Sequence, residues 1–68
     1  MNDQFLSRFL QQLATDVDAQ LLALIKEELL RKEYGHVFNL IREFKDAGHT
    51  LCIETDKTLE EFFWNYVY

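Results

Sequence analysis

Proline is absent and glycine occurs only at Gly35 and Gly48, so almost nothing in these 68 residues interrupts a helix except those two positions. Each glycine stands where an apolar periodic segment gives out. A glycine just past a last helical turn can take the left-handed conformation that closes it, so both read as the residue following a helix C-cap. The periodicity between them agrees. Phe5, Leu6, Phe9, Leu10 and Leu13 share one face of a helix from about Asp3 to Ala14. Thr15 and Asp16 can accept from the free N–H groups of a new first turn, with Asp18 favoured there by the helix dipole.

A second helix from about Val17 to Tyr34 carries Val17, Leu21, Leu24 and Ile25 on one stripe with Leu22 and Leu29 beside it, while Ala23 and Leu30 face elsewhere. Apolar residues on more than one side suit a helix that meets its own core on one face and another chain on the other. Glu27 with Arg31 and Glu28 with Lys32 are i,i+4 pairs in the favourable direction. The third helix, about His36 to Ala47, aligns Val37, Leu40, Ile41 and Phe44, with Phe38 on the edge of the stripe.

Beyond Gly48, the stretch Thr50 to Thr55 is β-branched and alternates Leu51 and Ile53 with more polar neighbours, which predicts a short extended segment near Leu51 to Ile53. Half of the chain's aromatic residues then fall within Phe62 to Tyr68. Thr58-Leu59-Glu60-Glu61 has the form of a capping box, so the tail reads first as a helix, with Leu59, Phe62, Phe63 and Tyr66 on the stripe and Trp64 and Tyr68 off it. Read as a strand, it would set Phe62, Trp64, Tyr66 and Tyr68 on one face against Thr50 to Thr55. The expected fold is mainly α: one small domain over residues 1–68 of three to four helices with one short extended segment. The alternative is α+β with a C-terminal hairpin.

Such a small core rarely supplies more than ~3–5 kcal/mol unaided, and the single Cys52 can form no internal disulfide, so careful packing or a homodimer is the expected stabiliser. An unpaired cysteine, and Met1 to Gln4 without a basic or apolar leader, point to a cytoplasmic location. The longest apolar run, Leu21 to Ile25, is far short of the ~20 residues that span a bilayer. A net charge of −5 opposes phosphate backbones and anionic membranes, so neither nucleic acid nor membrane is an expected partner.

Chemistry-bearing residues are scattered. His49, Cys52, Glu54 and His36 lack the paired short spacings of a metal site, and the expected state of Cys52 is a small buried side chain. Cys52 with His36 or His49 is the one possible nucleophile–base pairing, and no glycine-rich oxyanion turn follows it. Glu27-Glu28 and Glu60-Glu61 are adjacent on helices and point about 100° apart, unlike a catalytic carboxylate pair. A helix-turn-helix around Gly35 fails on charge. Five cations between Lys26 and Lys45 are interleaved with four glutamates. No catalytic residue, metal ligand or cofactor is expected.

What remains is surface. If all five tail aromatics were exposed, at ~150–250 Å² each, the patch would exceed what a soluble monomer carries, so the tail divides into inward and outward rings. The expected function is a non-enzymatic protein-binding regulator or adaptor acting through Trp64, Tyr68, Leu22 and Leu30, framed by Glu60 and Glu61. Two alternatives stand beside it. An acidic phage-type inhibitor, anti-restriction or anti-CRISPR, would occupy a nucleic-acid-binding groove by charge, and an antitoxin or chaperone-like role is the second.

Overall fold

Four helices in sequence order, α1 (Asn2–Asp16), α2 (Ala19–Leu30), α3 (Tyr34–Asp46) and α4 (Ile53–Phe62), are followed by a π-helical turn, Phe63–Val67. This computed structural model describes residues 2–68, with side chains from residue 4 onward; Met1, where the leader reading begins, lies outside the described residues. The mainly α expectation holds. No strand occurs among the described residues, so the C-terminal hairpin is overturned. Residues 47–52 are the non-helical connection between α3 and α4, a turn at 47–48 followed by 49–52, so the short extended segment expected near Leu51 to Ile53 is a connector that ends before Ile53, where α4 begins.

The core is one cluster. Phe9, Leu13, Val17, Ile25, Val37, Ile41, Leu51, Leu59 and Phe62 are buried, drawn from every helix and both flanking connections. Phe62 anchors the aromatic part: its ring lies 5.0 Å from Phe9, 5.3 Å from Tyr66 and 6.1 Å from Tyr34. Burying one such ring contributes on the order of 1.5–3 kcal/mol, so Phe62 alone ties α1, α3 and α4 together with a substantial fraction of a small domain's stability.

Helix ends depart from the sequence reading, and each departure has a local cause. α2 starts later than expected, because Asp18 rather than Thr15 or Asp16 is its N-cap, with its Oδ1 accepting from the Leu21 N–H at 2.8 Å. Asp16 instead accepts from the Cys52 N–H at 3.3 Å, joining the end of α1 to the start of α4. α2 also stops early. Glu33 N–H donates to the Glu28 carbonyl at 2.9 Å and Lys32 N–H to the Leu29 carbonyl at 3.0 Å, a Schellman closure that puts Lys32 at φ +60°. The expected role of Gly35 has moved to Lys32, and Gly35 lies in the first turn of α3. The Glu28–Lys32 pair expected from the spacing is replaced by contacts of Glu28 with His36 and Arg31.

Gly48 fulfils its expected role, with φ +102° just after α3. The putting of Thr58 at a helix start was wrong: α4 begins at Ile53, and Thr58 is buried mid-helix with its hydroxyl donating to the Glu54 carbonyl at 3.0 Å. The β-branched run misled at its end because Ile53 opens α4 and Thr55 is a small buried residue on that helix's face rather than a strand residue.

Candidate interaction surface

α4 and the π turn sort the aromatic tail into two sets. Phe62 is fully buried, Phe63, Tyr66 and Val67 are half-buried, and Trp64 and Tyr68 stand out at 56% and 85% exposure. The Tyr68 N–H donates to the Phe63 carbonyl at 2.8 Å, an i→i+5 bond that holds the widened turn in place. Within it the Trp64 and Tyr68 rings lie 4.8 Å apart. The helical assignment thus gives the division that the periodicity anticipated.

Beside Trp64 is a slot of about 430 Å³ lined by Phe38, Lys45, Asp56, Leu59, Glu60, Phe63 and Trp64. α3 contributes Phe38 and Lys45, one side, while α4 and the π turn supply the other. Lys45 Nζ sits 2.7 Å from Asp56 Oδ1 and links the two sides. Glu60 therefore joins Trp64 in one site. Glu61 is exposed but lines no groove with them, and its backbone carbonyl accepts from Asn65 Nδ2 at 2.9 Å.

The two leucines go elsewhere. Leu30 is 84% exposed at the rim of a separate groove of about 520 Å³ between α1 and α2, which Leu6, Leu10, Leu29 and Tyr34 floor and Lys26 and Lys32 flank. Leu22 is half-buried and packed against the core, next to Leu10 and Ala14 of α1, so it is not a free contact. Sequence reasoning grouped four apolar residues, and the structure groups only Trp64 and Tyr68. It missed Ile53, 75% exposed at the start of α4, because a strand reading treats Ile53 as an inward residue. Phe38, Lys45 and Asp56 were also missed as site residues; Phe38 alone carried a signal, as the apolar residue at the edge of its stripe.

The other titratable residues singled out from the sequence lie away from the slot. Glu28 is buried with Oε1 3.2 Å from His36 Nδ1 and Oε2 4.0 Å from Arg31, a bridge from the end of α2 to the start of α3. His49 stacks on Phe44 with ring centroids 4.5 Å apart. Cys52 is exposed rather than buried, correcting the expectation, because its side chain sits at the N-cap position of α4 on the molecule's outside. Among the described residues no group of three or more His, Cys, Asp or Glu side chains could hold a metal ion, and no helix is long and apolar enough to cross a membrane. No protein-family model matches the chain, and comparisons with curated proteins and with solved structures give no match.

Proposed function

We propose that this chain is a non-enzymatic protein-binding regulator or adaptor whose partner docks on the face formed by Trp64 and Tyr68. One observation carries the reading: two large amphipathic rings are paired at 4.8 Å on the outer side of the turn that follows Phe62, and Trp64 of the pair lines a shallow slot. The exposed part of each ring forgoes up to roughly 1.5–3 kcal/mol, less for the 56%-exposed Trp64, a gain that a partner can collect. Tryptophan and tyrosine are also the residues most often found to dominate interface energy, especially next to a pocket.

A photo-crosslinking side chain at position 68 of the full chain tests this in cells. A partner crosslinked there, with yield falling about tenfold in Trp64→Ala but not in Leu30→Ser, supports the docking face. Equal yield from a folded Trp64→Ala chain refutes it. Capture that survives Trp64→Ala but vanishes in the Glu60→Gln, Glu61→Gln double variant, and that weakens steeply with salt, would assign the contact to charge, as in an acidic nucleic-acid mimic. Sedimentation of the purified 8.2 kDa chain decides whether a second copy is the docked protein.

A further inference from the structure

The slot beside Trp64 has a chemical character more specific than apolar. Phe38 and Phe63 lie 4.8 Å apart with planes at 44°, and Phe63 and Trp64 lie 5.3 Å apart at 81°, so two of its rings stand nearly perpendicular. Asp56 and Glu60 line the same space. The Lys45 ammonium already satisfies Asp56 at 2.7 Å, whereas Glu60, exposed one turn before Trp64, has no ion-pair partner among the described residues. Lys57, also on α4, is not part of the lining.

Only one class of guest uses both halves of this site. The faces of aromatic rings are negative and attract a cation within about 6 Å, and an adjacent carboxylate adds to that attraction. A neutral apolar guest would gain nothing from Glu60, which is exposed and stays hydrated beside it. An anion is repelled by Glu60 and by the chain's net charge of −5.

We infer that the slot takes a cationic side chain, arginine in preference to lysine, from a basic segment of the docked partner. The guanidinium is planar and weakly hydrated, so it stacks on a ring while its N–H fork reaches a carboxylate, which fits Trp64 and Glu60 one turn apart. The inference rests on the Trp64 face being the docking face and adds the chemistry of what docks.

Trp64 is the chain's single tryptophan, so its emission reports on the slot directly. The full chain is titrated at constant ionic strength with acetyl-Gly-Arg-Gly-amide, with the citrulline counterpart of the same shape and no charge, and with choline. The arginine peptide should give a saturable change in the millimolar range, with affinity roughly two- to thirtyfold above citrulline. Glu60→Gln should weaken arginine binding, and Lys45→Met, which releases Asp56, should strengthen it. Equal affinity for arginine and citrulline, no saturation by about 50 mM, or no change in both variants overturns the inference. Choline binding more than about tenfold tighter than the arginine peptide would assign the slot to a free quaternary ammonium, and also overturns it. A failed titration beside an intact crosslink at position 68 removes the cation and keeps the docking face. A saturable titration without the crosslink removes the docking face instead.

Discussion

The closure of α2 makes a prediction in which two substitutions should both stabilise, although the sequence pattern predicts that both would harm. Lys32 holds φ +60° in the Schellman closure, a conformation costing an L-residue roughly 1–2 kcal/mol. Glycine removes that cost but loses about 0.5–1 kcal/mol of extra chain entropy, and a few tenths from the cation near the helix C-terminus. Lys32→Gly should therefore gain about 0.5 kcal/mol. Gly35 sits in the first turn of α3 without a positive φ, and nothing lies within 4 Å of where its Cβ would be. Gly35→Ala should then gain about 0.5–1 kcal/mol from helix propensity. Together the two should raise stability by about 1–1.5 kcal/mol and Tm by roughly 4–12 °C for a domain of this size. Far-UV circular dichroism through thermal and urea unfolding, with unchanged m, measures it. If α2 instead closed at Gly35, alanine there would meet the left-handed penalty and glycine at 32 would weaken a helix interior. Destabilisation by both variants would refute the closure at Lys32.

Phe62→Ala should cost about 3–5 kcal/mol, against a total near 3–10 kcal/mol for a chain of this length, so urea unfolding should show a largely or wholly destabilised fold; a loss below about 1 kcal/mol would contradict the central place of that ring. Asp18→Ala removes the acceptor of the Leu21 N–H and should lower stability by about 1 kcal/mol, read as a shift in the urea midpoint at constant m. Leu30→Ser, on a side chain 84% exposed, should move the same midpoint by no more than about 0.5 kcal/mol.

Much of the helical content was legible because periodicity and punctuation are local. The α1 and α3 stripes placed Phe9, Leu13, Val37 and Ile41 in the core, and Gly48 closed α3 as its position suggested. The first-choice reading of the tail separated Trp64 and Tyr68 from Phe62 correctly, since that separation follows from helical angle alone. The stretch around residues 53–58 was misread for a reason of the same kind: Ile53 and Thr55 look like strand and Thr58 like a helix cap until it is known that Thr55 and Thr58 are small buried groups inside α4, whereas residues 50–52 are non-helical as expected.

The chain alone therefore determined a run of amphipathic helices, an acidic surface and two outward rings near residue 68, all properties of side-chain order and charge. Tertiary structure decided where α2 ends, because that depends on α3 packing back and on Glu28 turning inward to His36. It also decided which residues share a surface. Leu22 was half-buried against the core, Leu30 went to another groove, and Phe38, Lys45 and Asp56 came to stand with Glu60 and Trp64. Residues as far apart in sequence as Phe38 and Phe63 meet only when helices cross, and no local pattern encodes that crossing.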